Sequence, residues 1–336
     1  MAKAESAREL LRAESARVLS DVQKSRPFWG GRSPKWICQV IQSIESGCIP
    51  VTGGAYQVNR VDQPFLPIQV SHSESPTRLP SRDLRISNSH LEGTLLDVSY
   101  ADYDREPRVV ELATIQSVVK VHTRVEALYS DRFDQVEQQL TIAADYMYET
   151  KENLIFNHPD YGLLNNVAPK LMIEDAGLPT PSVLDELLSR VWKMPDFFVM
   201  HPEALEVFHQ QCNSHGLAPE AVQMFGASFT AWRGLPILPT NKLHLIAGGE
   251  EIADSSMVDR TPGEAKSHVM LMRIGELKQG VVSLYAAGSE GSDRFPFINV
   301  DFMSHSDEAI SSYLMTMYAA MAVCTPGALA CAEVTL

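Results

Sequence analysis

Residues 113–157 read ATIQSVVKVHTRVEALYSDRFDQVEQQLTIAADYMYETKENLIFN, a run with no proline or glycine. Val118, Val121, Val125, Leu128 and Tyr129 recur at helical spacing. Val136, Leu140, Ala143 and Ala144 continue it, then Met147, Leu154 and Ile155. The spacing predicts one helix of about 36 residues, roughly 54 Å long at 1.5 Å per residue. That greatly exceeds the common length of a globular helix. In a mixed chain such a helix acts as a spine on which other layers pack. A coiled coil is the alternative, but Asp134, Gln138 and Gln139 break its a/d pattern.

Upstream of this run the sequence turns extended. Ala55–Val61 (AYQVNRV), Leu95–Tyr100 and Arg108–Leu112 carry strand patterns, and prolines at 64, 67, 76 and 80 exclude a long helix. So long a stretch with few core-building segments is unusual inside a compact domain. A strand ribbon of this kind is an aggregation hazard in a monomer and a joining device in an assembly. Before it, AESAR occurs at 4–8 and again at 13–17, a helix-favouring sequence. Arg26–Gly31 (RPFWGG) breaks any helix there, and a short helix is expected from Ser33-Pro34 through Ile44.

Downstream the pattern alternates. Thr180-Pro181-Ser182 opens a helix with Leu184, Leu187, Leu188 and Val191 on its apolar face. Phe197–Met200 reads as a buried strand, and His201-Pro202 starts a second helix ending near Gly216. Leu235–Leu238 and Leu243–Ile246 are further strands, making this an α/β lobe. Residues 248–267 form a polar, acidic loop. Val269–Ile274, Val281–Ala286 and Phe297–Phe302 are extended, and an apolar strand runs from Tyr313 to Val323. That last run is shorter than the ~20 residues of a membrane-spanning helix.

The chain has 336 residues, is 45% apolar and carries a net charge of −14. Residues 1–36 contain eight Lys/Arg against four Asp/Glu, a basic arm on an acidic body. Such an arm suits either an acidic neighbouring protein surface or plain solvent. A body this acidic does not suit phosphate binding, so no nucleic-acid partner is expected. No apolar secretory core opens the chain, because Glu5, Glu9 and Glu14 interrupt it. The five cysteines, at 38, 48, 212, 324 and 331, form no CxxC pair. A cytoplasmic setting with reduced thiols and no membrane partner is expected.

Three constellations contain residues capable of chemistry. His209, Cys212 and His215 lie three apart on a predicted helix. They lack a fourth ligand, and a half-buried thiol between two solvent-facing imidazoles is the simpler reading. Cys324 and Cys331 flank the turn Thr325-Pro326-Gly327, which suits a redox site or a crosslink, but with no activating His or Asp buried apolar cysteine is the simpler reading. Gly248-Gly249 precedes Glu250 and Glu251, whose charge opposes phosphate. No catalytic residue, metal or cofactor is therefore expected.

Several motifs together resemble the encapsulin shell proteins of the second family, in the branch without a cyclic-nucleotide-binding domain. They are VHTRVEALY at 121–129, DQVEQQL at 134–140, GLLNNVAP at 162–169, PTPSVLDELLSRVWKMPDFFVMHPEAL at 179–205, MFG at 224–226, WRGLPILP at 232–239 and RIGELKQGVV at 273–282. The resemblance implies an α+β fold, that of the tailed-phage major capsid protein. It assigns 1–50 to an N-terminal arm and 51–112 to an extended loop. It assigns 113–178 with 297–336 to a peripheral domain and 179–296 to an axial domain. It also implies an icosahedral homo-oligomer enclosing a cargo enzyme, a cysteine desulfurase, in sulfur metabolism or storage. In such a shell the acidic loop would ring a pore through Glu250, Glu251, Asp254 and Asp259, or else remain an ordinary solvated loop. Phe28, Trp29 and Trp36 would dock the arm on a neighbour. The rival readings are a phage or prophage capsid protein and a soluble α/β enzyme.

Overall fold

A computed structural model describes residues 36–58, 108–122, 135–191, 193–224, 227–247, 250–252, 265–286, 298–305 and 310–336. Two sheets form the body. The first is five-stranded and centred on β15 (Ile310–Val323). Along one edge of β15 runs β4 (Ala113–His122), antiparallel from Ala113↔Ala319 to His122↔Ile310. Along the other edge β14 (Asn299–His305) and β13 (Val281–Ala286) lie end to end, and β1 (Cys48–Val51) adds in parallel to β13.

The expected long helix is corrected here. Its first ten residues are strand β4, residues 123–134 lie outside the described part, and helix α2 spans Gln135–Asn157. The reason is visible in the side chains. Thr114, Ile115, Val118, Val119 and Val121 are β-branched and favour a pleated surface. Ile115 and Val121 point into the core, while Gln116, Val118 and Lys120 point out, a period of two that coincides at several positions with a helical one. Leu140, Ala144 and Met147 of α2 pack on Ile115, Val121, Tyr313, Met315 and Met317, so the helix covers one face of this sheet. At 23 residues it is about 34 Å long.

The second sheet has nine strands. Its centre is β12 (Ala265–Met272), with β16 (Leu329–Thr335) on one edge. β10 (Leu245–Ala247) followed by β6 (Phe197–Met200) lies on the other. From β6 the sheet continues through β9 (Leu235–Pro239), β8 (Ala227–Trp232) and β7 (Glu220–Met224). β11 (Glu250–Ile252) forms a hairpin with β10, and the two-residue β5 (Met172–Ile173) borders β16. Helices α3 (Pro181–Arg190) and α4 (Pro202–Ser214) bury Leu184, Leu187, Phe208 and Cys212 against Phe198, Val269, Leu271 and Ala332. Both begin with proline at the first helical position, where the missing N–H costs nothing.

The sheets exchange strands across the expected domain boundaries. β13 was assigned to the axial lobe yet pairs in the five-stranded sheet. β16 was assigned to the peripheral lobe yet pairs in the nine-stranded one. β16 was not foreseen as a strand, because the Pro326-Gly327 turn obscures the restart at Leu329. The chain therefore passes between sheets at 273–280 and again at 324–328. These passages lie side by side: Arg273 N donates to Ala328 O (2.8 Å) and Cys324 N to Gly280 O (3.0 Å). A Cβ on Gly280 would sit 2.4 Å from Arg273 O, so only glycine fits there. Arg273 is fully buried, and its Nη2 donates to Gln279 O (3.0 Å). Burial lowers its basicity, and the Asp196 charge partly offsets this. Asp196 also accepts Ile274 N (2.7 Å) and Lys278 Nζ (2.6 Å).

Removing that carboxylate leaves a buried guanidinium with less compensation. Asp196→Ala is expected to cost about 3 kcal/mol, with Asp196→Asn costing less because it keeps one acceptor. The check is the denaturant midpoint of dissociated subunits, and equal midpoints for the alanine variant and the parent would contradict it.

Candidate assembly surfaces

A short two-stranded sheet joins β2 (Ala55–Gln57) and β3 (Val109–Glu111), the described ends of the segment expected to form the extended loop. Its register is Ala55↔Glu111, Tyr56↔Val110 and Gln57↔Val109. Leu112 N donates to Gly54 O and Val58 N to Arg108 O, both at 2.9 Å, which closes the ladder at its two ends. Val110 is buried beneath the pair, and Val109 is exposed above it. The base is tied down by one side chain: the Tyr56 hydroxyl donates to Glu276 Oε1 (3.0 Å). Burial, reinforced by that carboxylate, pushes the phenol well above its usual range, so it remains a donor throughout the physiological range. Beside this base, Arg108 Nη2 donates to Asp160 O (3.1 Å), and His158 stacks on Tyr161 at 3.8 Å. The candidate strand Leu95–Tyr100 lies outside the described residues.

Exposed apolar side chains mark other surfaces. Ile142 and Tyr146, one turn apart on α2, face away from the sheet. On the five-stranded sheet, the face opposite α2 exposes Val118 and Tyr318. Met194 and Leu277 are the most exposed large apolar residues among the described ones, at 81% and 76%. Of these six, Val118 is expected from its spacing on the apolar face of a helix, and the other five carry no such expectation. The signal available for the last two was an apolar residue alone in a polar turn, KMPD and GELKQG.

Of the pore candidates, Glu250 and Glu251 lie in β11, opposite Ala247 and Ile246 of β10, at an edge of the nine-stranded sheet. The expected loop over 248–267 thus holds strand at both ends, since β12 begins at Ala265. Asp254 and Asp259 lie outside the described residues, as do Phe28 and Trp29. Trp36 is the first residue of helix α1 (Trp36–Ser43), whose Ile37, Val40 and Ile41 are buried.

The constellations capable of chemistry are dispersed. His209 Nε2 meets Thr230 Oγ1 at 3.0 Å, Cys212 is buried beneath α4, and His215 Nδ1 lies 2.7 Å from Gln211 O at the helix end. Burial pushes the Cys324 thiol to about 11 and the Cys331 thiol to about 12. Both therefore stay protonated and poorly nucleophilic. Among the described residues no three His, Cys, Asp or Glu stand together as a metal site would require. What the geometry offers is a pinned two-stranded sheet and exposed apolar side chains on a two-sheet body.

The model of the SrpI-like type 2A encapsulin shell proteins matches residues 71–335. The type 2A encapsulin shell protein SrpI of Synechococcus elongatus is 35% identical over 321 residues, covering 95% of this chain and 92% of that one. The chain belongs to the type 2A encapsulin shell proteins. The cryo-EM structure of the holo-SrpI encapsulin complex from Synechococcus elongatus PCC 7942 superposes with a TM-score of 0.68 at 33% identity, over 92% of this chain and 91% of that one. The capsid protein of an empty GTA particle superposes at 0.56 with 12% identity, over 93% of both chains, a likeness of fold alone. This encapsulin subunit therefore has the phage-capsid fold, and its role is structural: it is a shell component rather than an enzyme. No helix among the described residues is long and apolar enough to cross a membrane.

Tyr56→Phe removes the tie at the ribbon base. The expected loss is about 1 kcal/mol in the subunit, with faster amide exchange at Val58 and Leu112 and unchanged exchange in α4. Hydrogen-exchange mass spectrometry reads this directly; protection at Val58 and Leu112 equal to the parent would show that the hydroxyl is not the anchor.

Proposed function

We infer that this encapsulin closes into an icosahedral shell in the cytoplasm and holds a cargo enzyme, a cysteine desulfurase, for sulfur metabolism or storage. The observation that supports the shell is likeness over nearly the whole chain to shell proteins, 35% identity across 95% of its length. The desulfurase follows from the family resemblance alone. The five-stranded sheet with α2 reads as the peripheral domain, and the nine-stranded sheet with α3 and α4 as the axial domain. Residues 51–112 embrace a neighbour from the pinned base at Tyr56. The basic arm, through Phe28, Trp29 and Trp36, lies on another copy, attracted by a body of opposite charge. Glu250, Glu251, Asp254 and Asp259 ring a pore that favours small cations over anions, each charge multiplied by the copies around the axis.

Particles purified from the native host and identified by mass spectrometry test the cargo. A stoichiometric pyridoxal-phosphate enzyme that releases sulfur from cysteine is the expected result. A different enzyme would replace the cargo assignment, and particles filled with DNA would favour a viral capsid instead. Deleting residues 1–36 is expected to lower the assembled fraction and the denaturant resistance of the particles. Particles unchanged in yield and stability would remove the arm from the assembly.

A further inference from the structure

Resting on the shell reading, we propose that Met194 and Leu277 form a rigid apolar knob that contacts a second copy of this chain during assembly. The two residues sit on neighbouring turns bound through one carboxylate. Asp196, two residues after Met194, accepts from Ile274 N at 2.7 Å and from Lys278 Nζ at 2.6 Å, and Lys278 is adjacent to Leu277. Asp196 N in turn donates to Met272 O (2.9 Å). The turn carrying Leu277 is closed on itself. Gln279 N donates to Glu276 O and Gly280 N to Gly275 O, each at 2.8 Å, while Gly275 N donates to Val281 O (3.0 Å). Glu276 N donates to Ser46 O (3.0 Å), which fastens the turn to the loop after α1. Beneath it lies the buried Arg273.

Backbone bonds within the turn and to Ser46 and Asp196 thus hold it, and the tip presents apolar atoms on that frame. Holding an apolar side chain rigid in water at 76–81% exposure gains the subunit nothing alone. Presented to a partner, it needs little further ordering, which is the costly step in association.

Charge selects the partner. The chain carries −14, so identical copies repel over most of their surface. Beside the knob one pair of charges is neutralised in place, Lys278 Nζ on Asp196 Oδ1 at 2.6 Å. A second acidic copy meets less repulsion at such a paired site than it would at unpaired carboxylates. The position also matters. The turns lie at the passage between the sheets, next to the ribbon base held by Glu276, so a contact here would fix the orientation of both sheets relative to a neighbour.

The test uses the full chain. Met194→Ser with Leu277→Ser is expected to reduce the assembled fraction about tenfold at equal subunit concentration, with an unchanged far-UV circular dichroism spectrum. An unaltered assembled fraction overturns the contact. A second variant guards against misfolding: Leu277→p-benzoylphenylalanine, irradiated in shells produced without cargo. A covalent subunit dimer that is absent from irradiated dissociated subunits is expected. No dimer, or an adduct only with another protein, overturns the proposal. Failure of the unsubstituted chain to form particles would instead remove the shell reading on which it rests.

Discussion

The pair of passages between the sheets, locked around buried Arg273, is the constraint on which the rest of the structure depends. Segment 273–280 leads from β12 into β13, and segment 324–328 leads from β15 into β16. Each sheet thus takes a strand from a chain that has just left the other. The main apolar cluster runs through this junction, from Phe197, Val199 and Met272 on one side to Val281, Leu284 and Ala320 on the other. A fully buried guanidinium is an expensive way to fill such a junction. Its fork, however, reaches the backbone of the turn through Gln279 O, and Asp196 supplies charge from the other side. The result is a joint with little freedom to hinge, which suits a subunit whose two sheets must meet neighbours at fixed angles.

The joint also anchors the β2–β3 pair. Glu276 lies in the first passage, receives the Tyr56 hydroxyl, and through its own N–H holds the loop after α1 at Ser46. One short turn therefore links the ribbon base, the entry to β1 and both sheets. The junction also explains the inert thiols. Cys324 and Cys331 flank the second passage, where apolar packing leaves their protons in place.

The two lobes differ in how readable they were. α3, β6 and α4 stand out because capping and proline signals mark their starts and the apolar period is unambiguous over Leu184, Leu187 and Phe208. The spine was half legible. From Val136 onward the helical period is real, but in 113–122 valines at 118 and 121 imitate it while the inward set, buried Ile115 and Val121 with half-buried Val119, alternates. β4 owes its state to β15, two hundred residues away, a partner that local periodicity does not contain. β7 has a largely exposed pattern that only pairing with β8 makes regular, whereas β8 alternates with Phe229 and Ala231 buried. Contact residues were less legible still. Exposure is a tertiary property, and nothing in KMPD or GELKQG fixes that Met194 and Leu277 face water on adjacent turns.

A shell subunit has to satisfy two opposed demands. Net negative charge keeps unassembled copies soluble and apart, while closure requires that the same copies touch along many edges. A uniform surface would fail one or the other. This chain separates them: acidic groups dominate the body, positive charge is concentrated in the first 36 residues, and the most exposed apolar tips stand beside the Asp196–Lys278 pair. Each contact can then be weak, because in a closed particle every subunit makes several at once and the second and later contacts form at high effective concentration. Weak individual contacts let misplaced subunits leave before the shell closes around them. Strength comes from closure, and the stiff junction at Arg273 makes closure possible by holding the two sheets at one angle.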